Sequence, residues 1–285
     1  MSELQLSTHS GVINYLEFGN PKNPTIICLH GLIGNSLYSF GELIPYLRDH
    51  FHLILLDNPG HGKTTSFPKE EDYLFSNLAI WLERAVEKIV KGPFYIMGHS
   101  WGADIALHYT RYYPDKVLGL ILLDGAFTFP QNQPEMTFDY AYLGWKDYMD
   151  HSLVDYKEEI YEEYQSYTKK WNSRKEKYSE SLFRKRPDGK FELVASKFSV
   201  LAIVKAFFKE PFQDAFPFIN AQTLLIHADY PQSLDAARNL GILQLLENIK
   251  DFSVYKIDGT SHMLQWDQPQ VTAHIISQWI DEKLL

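Results

Sequence analysis

The stretch FYIMGHSWGADIALHY, residues 94 to 109, joins an apolar run, a tight glycine turn and a helix-like pattern. Its centre, Gly98-His99-Ser100-Trp101-Gly102, is a G-x-S-x-G motif between a predicted strand and a predicted helix. A serine on such a turn exposes its hydroxyl at the sheet edge, because the two glycines let the backbone pass close to its neighbours. Ser100 is therefore a candidate nucleophile.

A serine hydroxyl is a weak nucleophile unless a base accepts its proton, so a histidine is required. His262 lies in DGTSHMLQWDQP, after the last predicted strand, which places it in a loop at the same sheet edge as Ser100. His30 and His61 also follow strands, but hydrogen bonding to the backbone is the expected role of both. His99 lies beside the nucleophile and is expected to point elsewhere.

Short apolar runs recur along the chain, each followed by a turn and then by a helical pattern. Near-continuous apolar strands that alternate with helices indicate an α/β fold with a mostly parallel sheet covered on both faces, and the loops after such strands carry the chemistry. At the C-terminus, Pro269 suits a first helical position, and an apolar stripe from Val271 to Ile280 follows it. The predicted strands lie in residues 24–31, 52–62, 94–102, 118–125, 223–229 and 252–259.

The alternation stops between about Ala126 and Phe216. We expect residues 1–125 and 217–285 to form the core and residues 126–216 to form a mostly helical cap over the strand ends. An apolar stripe at helical spacing predicts one amphipathic helix in the cap, whose aromatic face either packs onto the core, which we favour, or lines an apolar pocket. The stripe consists of Leu153, Tyr156, Ile160, Tyr164, Tyr167 and Trp171.

The composition excludes several classes of function. A net charge of -9 and a pI near 5.6 provide no basic surface for nucleic acid. No signal peptide and no membrane-spanning run of apolar residues is evident, so we expect a cytoplasmic protein. Cys28 is the only cysteine, and no CxxC or HExxH motif offers a metal site. Gly62-Lys63-Thr64 is not a phosphate-binding loop, because Asp57 stands where that motif needs glycine.

With these motifs, nearly the whole chain resembles the alpha/beta hydrolase superfamily. The resemblance implies Ser100 as nucleophile, His262 as general base and a cap after the sixth strand. It also implies an oxyanion hole formed by the backbone N–H groups of Leu32 and Trp101, whose side chains would face the acyl pocket. No cofactor or metal ion is implied. The motifs that carry the resemblance are LHGLIGNS (29–36), DNPGHGKT (57–64), GHSWGA (98–103) and GTSHMLQWDQP (259–269).

The acid that orients His262 is less evident. Members of the superfamily commonly carry it in the loop after the seventh strand, but the matching position here is Pro231. Asp229 lies two residues before that position, and Asp235 could reach His262 only if the loop is long. Asp124, at the end of the sixth strand, reaches the same sheet edge from beside the nucleophile strand. We favour Asp124, with Asp229 as the alternative acid and Asp235 as a third choice.

The predicted function is a carboxylesterase-like serine hydrolase that acts on a small or medium apolar ester. The substrate is expected to be apolar because no charged residue that would select a charged substrate is evident. A carbon-carbon bond hydrolase, a thioesterase, a lactonase or an aminopeptidase of the same fold remains open. A hypothesis from another class is a small-molecule receptor built on the hydrolase fold. Epoxide hydrolases and haloalkane dehalogenases of this fold use an aspartate nucleophile, which Ser100 argues against.

Overall fold

The computed structural model describes residues 2–8 and 11–284. Ten strands are present among them, and eight form one central sheet. The sheet strands are β1 (Ser2–Thr8), β2 (Gly11–Phe18), β3 (Thr25–Leu29), β4 (His52–Leu56), β5 (Phe94–His99), β6 (Val117–Leu123), β9 (Gln222–Ala228) and β10 (Phe252–Ile257).

The strand order is β1-β2-β4-β3-β5-β6-β9-β10. The six strands that follow β2 in this order, β4, β3, β5, β6, β9 and β10, pair in parallel. Strands β1 and β2 add an antiparallel edge that was not predicted. The expectation of a mostly parallel sheet is confirmed. Strands β5, β6 and β9 are neighbours, so the residues that follow them meet at one edge.

Helices cover both faces of the sheet, because alternate strand residues point to opposite sides. Ile27 packs in one core with α3 and α4, and Ile26 packs in the other with α1, α2 and α11. The helix α11 begins at Pro269 as predicted, although Val271 is exposed. The helices that cover the two faces of the sheet are α1 (Ser36–Phe40), α2 (Ile44–Leu47), α3 (Phe75–Ile89), α4 (Trp101–Tyr112), α9 (Asp235–Asn248), α10 (Leu264–Asp267) and α11 (Pro269–Leu284).

A mostly helical insertion connects β6 to β9. It contains α5 (Phe138–His151), α6 (Lys157–Gln165), α7 (Ser173–Glu180) and α8 (Lys197–Lys209), with a short antiparallel pair of strands, β7 (Phe183–Lys185) and β8 (Phe191–Leu193). This pair of strands was not predicted.

The prediction of one long aromatic helix in the insertion is wrong. The helix α6 ends at Gln165, so Tyr167 and Trp171 lie beyond it and Leu153 precedes it. Ile160 and Tyr164 are buried in a cluster that also contains Tyr38 and Trp266 of the core, in accord with the packing explanation. Helical spacing alone did not reveal where the helix begins and ends, because apolar residues recur at the same spacing in the loops on either side.

Strand β10 also departs from its predicted character. The sequence predicts a strand covered on both faces, but Val254, Tyr255 and Lys256 are exposed. The cause is its position at the edge of the sheet, where only β9 pairs with it. Among the described residues, no helix is both long and apolar enough to cross a bilayer.

Candidate active site

Ser100 occupies a sharp turn between β5 and α4, with φ 54° and ψ −126°. A positive φ is strained for a residue other than glycine and persists only where the surroundings enforce it. Here the Ser100 N–H donates to the Leu123 carbonyl oxygen at 3.0 Å. A Cβ at Gly102 would lie 2.0 Å from the Leu29 carbonyl oxygen, so only glycine allows α4 to approach β3 so closely.

His262 and Asp124 form a hydrogen bond, Nδ1 to Oδ2, of 2.7 Å. The other carboxylate oxygen, Oδ1, accepts the Ala228 N–H at 3.1 Å. Asp124 lies directly after β6, and its side chain is 9% exposed, while that of His262 is 54% exposed. A carboxylate accepts hydrogen bonds only, so His262 Nδ1 carries the proton and Nε2 is left as an acceptor.

Two opposing effects act on the pKa of the Asp124 carboxyl. Burial raises the pKa, but the hydrogen bond and charge of His262, the Ala228 N–H and the Arg238 charge together outweigh burial. The net pKa lies below the ordinary value of an aspartate. Asp124 is therefore ionised at neutral pH.

The other two candidate acids are engaged elsewhere. Asp229 Oδ1 accepts the Thr260 N–H at 3.0 Å, and Asp235 forms an ion pair with Arg238 at 3.0 Å. Arg238 also donates to the carbonyl oxygens of Tyr230 and Pro231, which fixes the loop after β9. Of the three aspartates, the structure brings Asp124 to His262.

His99 contacts the histidine loop, which the sequence analysis did not foresee. Its Nε2 donates to the His262 carbonyl oxygen at 3.0 Å, and the two rings lie 4.9 Å apart. Burial, and then the nearby His262, lower the pKa of His99 to about 3, so this ring is neutral. His99 thus supports the loop that carries His262.

Asp267 holds the same loop from the other side. Its Oδ2 accepts the N–H and hydroxyl of Ser261, and its Oδ1 accepts the Thr168 hydroxyl and the Lys169 N–H, all at 2.8 to 2.9 Å. This buried carboxylate ties the His262 loop to the insertion. Its partners Thr168 and Lys169 lie about a hundred residues away in sequence, so no local pattern signals the contact.

The two predicted oxyanion donors lie beside Ser100. Trp101 is the first residue of α4, so its N–H has no partner within the helix. The Leu32 N–H forms no hydrogen bond within the described part of the chain. A Cβ at Gly31 would lie 3.1 Å from Ser100 Cβ, which shows how close this loop approaches the serine.

His30 and His61 form hydrogen bonds with the backbone, as the sequence predicts. His30 Nε2 accepts the Asn58 N–H at 2.9 Å, and His61 Nε2 accepts the Ile33 N–H at 3.2 Å. Burial lowers the pKa of His30 to about 4 and that of His61 to about 3, so both rings are neutral acceptors. The predicted hydrogen bonding of both histidines to the backbone is confirmed.

A cavity of about 240 Å³ opens over Ser100. Ser100, Asp124, His262, Leu32 and Trp101 all line it. Ser100 Oγ forms no hydrogen bond among the described residues, and such contacts often tighten only when substrate binds. The remaining lining residues are Asp104, Gly125, Ala126, Thr128, Phe129, Gln133, Trp145, Phe207, Leu234 and Arg238.

The lining is mostly apolar, but it also includes the polar side chains of Asp104 and Arg238, which the sequence did not single out. Asp104 lies in α4 and Arg238 lies in α9, so only the tertiary packing of these helices brings the two side chains to the cavity. A second cavity, of about 330 Å³, shares Phe129 and Trp145 with the first and is lined by Tyr148 and Tyr167.

Comparison with known proteins agrees with this architecture. Residues 24–269 match the family model described as the alpha/beta hydrolase fold. The chain belongs to this family.

Among curated proteins, the serine hydrolase-like protein of Mus musculus is 32% identical over 140 residues, which are 49% of this chain and 45% of that protein. The proline iminopeptidase of Neisseria meningitidis is 30% identical over 131 residues, 43% of this chain and 42% of that protein. The matches span about half the length of such relatives. A solved structure of E-2-(acetamidomethylene)succinate hydrolase superposes with a TM-score of 0.78 at 20% identity, covering 98% of this chain and 99% of that chain.

Proposed function

We propose that this chain is a serine hydrolase that cleaves ester-type bonds of a small or medium substrate through an acyl-enzyme. The observation that carries the proposal is the 2.7 Å hydrogen bond between His262 and Asp124 in the cavity that Ser100 also lines. Ser100, His262 and Asp124 take the roles of nucleophile, general base and orienting acid.

In the first step, Ser100 Oγ attacks the carbonyl carbon while its proton passes to His262 Nε2. The bond to Asp124 favours this transfer, because the buried carboxylate stabilises the imidazolium that forms. The N–H groups of Leu32 and Trp101 donate to the negative oxygen of the tetrahedral intermediate. One such donor is worth about 3 to 4 kcal/mol of barrier.

In the later steps, His262 gives its proton to the leaving alkoxide and the acyl group stays on Ser100. His262 then accepts a proton from water, the hydroxide adds to the acyl carbon, and the acid product leaves as the proton returns to Ser100 Oγ. Every proton transfer in this scheme uses a side chain of this chain.

The cavity supports a small or medium, largely apolar substrate. Its volume of about 240 Å³ is below the usual range for drug-sized ligands. Phe129, Trp145 and Phe207 bring aromatic surface from the insertion to the site. We propose that residues 126–216 act as a cap that excludes water and shapes the substrate pocket, on a core of residues 1–125 and 217–285.

Labelling with a fluorophosphonate probe tests the proposal. Wild-type protein is expected to form a stable adduct and to hydrolyse p-nitrophenyl butyrate, whereas Ser100→Ala is expected to do neither. Ser277→Ala, which removes a serine of α11 outside the cavity, is the matched control and should label fully. A wild-type protein that neither labels nor turns over esters would show that the assignment is wrong.

An aminopeptidase is the second candidate, because the Neisseria meningitidis relative is named proline iminopeptidase. L-proline p-nitroanilide therefore belongs in the same panel. Cleavage of this amide at a rate above that of the butyrate ester would favour the aminopeptidase. The cytoplasmic location remains a prediction that fractionation of cells would test.

A further inference from the structure

Asp104 is a buried carboxyl that the mechanism above does not use. It lies in the first turns of α4, four residues after Ser100, and is 3% exposed. It lines the cavity over Ser100. Its Oδ1 has no hydrogen-bond partner within the described residues.

An unpartnered buried carboxyl oxygen costs free energy, so a native protein that retains one usually has a use for it. Burial raises the pKa of Asp104 well above its ordinary value, which favours the neutral acid. A neutral carboxyl carries one proton, so Asp104 can donate one hydrogen bond into the apolar cavity that it lines.

Arg238 and Gln133 also line the cavity but are less suited to this role. Three N–H groups of Arg238 are already committed to Asp235 and to the loop after β9. Gln133 comes from the insertion, whereas Asp104 shares one rigid helix with the nucleophile. Four residues of helix correspond to a rise of about 6 Å. An acyl chain fixed on Ser100 would therefore meet Asp104 at a set distance from its carbonyl carbon.

We propose that Asp104 determines substrate specificity by donating a hydrogen bond to an oxygen on the acyl chain, a few carbons from the scissile carbonyl. The substrate class is then an ester whose otherwise apolar acyl group carries a ketone, ether or similar acceptor. The inference rests on the proposed ester hydrolysis and narrows its substrate.

The test compares two esters of equal shape, p-nitrophenyl 5-oxohexanoate and p-nitrophenyl 5-methylhexanoate. The measured quantity is the ratio of their kcat/KM values in wild type, Asp104→Asn and Asp104→Leu. Leu removes the donor, so we expect the ratio to fall about tenfold, the effect of one buried hydrogen bond. Asn keeps a donor and should hold the ratio within about threefold of wild type. A general loss of stability would change both kcat/KM values and leave their ratio unaltered.

Two outcomes would overturn the inference. An unchanged ratio in Asp104→Leu would mean that Asp104 does not contact the acyl chain. A preference for p-nitrophenyl 6-aminohexanoate that disappears in Asp104→Leu would mean that the carboxyl binds a cation instead. In both cases, labelling of wild type by the fluorophosphonate would show that the hydrolase proposal still stands.

A binding measurement tests the subsite without turnover. Ser100→Ala and the double variant Ser100→Ala/Asp104→Leu are titrated with the methyl esters of the same two acids. Tighter binding of the oxo ester in the first variant, lost in the second, supports the role of Asp104 even if no ester is hydrolysed. Equal binding of the two esters by Ser100→Ala would contradict it.

Discussion

The contact between Asp124 and His262 makes a quantitative prediction about catalysis. Asparagine is the matched replacement, because it keeps the shape of aspartate and tolerates the φ of 44° found at this position. Its Oδ1 can still accept the Ala228 N–H, but its NH2 group then faces His262 Nδ1, so Asp124→Asn removes both the negative charge and the acceptor of the Nδ1 proton.

The expected loss follows from the geometry. At 2.7 Å and an effective dielectric constant of about 20, two unit charges attract by about 6 kcal/mol. At about 1.4 kcal/mol per tenfold in rate, the full effect corresponds to roughly 10⁴-fold. Because the His262 side chain is 54% exposed, solvent screens part of this attraction. We therefore expect kcat/KM for p-nitrophenyl butyrate to fall by about 10³-fold to 10⁴-fold.

Asp229→Asn is the control, since Asp229 contacts Thr260 rather than His262. Its kcat/KM is expected to stay within about threefold of wild type. Thermal unfolding of both variants shows whether each remains folded at the assay temperature. If Asp229→Asn lost activity and Asp124→Asn kept it, the assignment of the acid from the hydrogen-bond geometry would be refuted.

Three further predictions concern stability and the support of the site. Asp267→Ala leaves four hydrogen-bond donors without their acceptor, so we expect the free energy of unfolding, measured with heat or urea, to fall by about 3 kcal/mol. We also expect slower fluorophosphonate labelling, because the His262 loop is no longer anchored. Labelling at the wild-type rate would contradict the anchoring role. Burial raises the pKa of Asp104, so the folded protein holds this proton more tightly than the unfolded chain, and ionisation lowers stability as pH rises above the unfolded pKa. Asp104→Asn cannot ionise and should therefore gain Tm over wild type at pH 8 but not at pH 4, and a gain that does not grow with pH would refute this reasoning. Gly102→Ala places a Cβ 2.0 Å from the Leu29 carbonyl oxygen and should lower the free energy of unfolding by more than about 4 kcal/mol. Gly144→Ala lies in open space on α5 and should raise the free energy of unfolding by about 0.5 to 1 kcal/mol. Equal Tm values for these two variants would contradict the packing argument.

Much of the fold was predictable because it depends on local patterns. Buried parallel strands produce apolar runs, and the runs around Ile26, Met97 and Leu122 all became strands of the sheet. The aromatic stripe from Leu153 to Trp171 failed as a prediction for the opposite reason. Its helical spacing of apolar residues continues through loops, and only tertiary packing decides where the helix ends.

The amino-acid sequence by itself determined that Ser100 follows a strand on a turn between close-packed glycines and that His262 follows the last strand, because both facts depend on short-range order along the chain. The partner of His262 depended on how β6 and β9 align. In the structure, Leu123 pairs with Ile226 and the Asp124 N–H donates to the Ile226 carbonyl oxygen, which places the Asp124 carboxylate between Ala228 and His262. That alignment joins residues far apart in sequence, so only tertiary packing could select it.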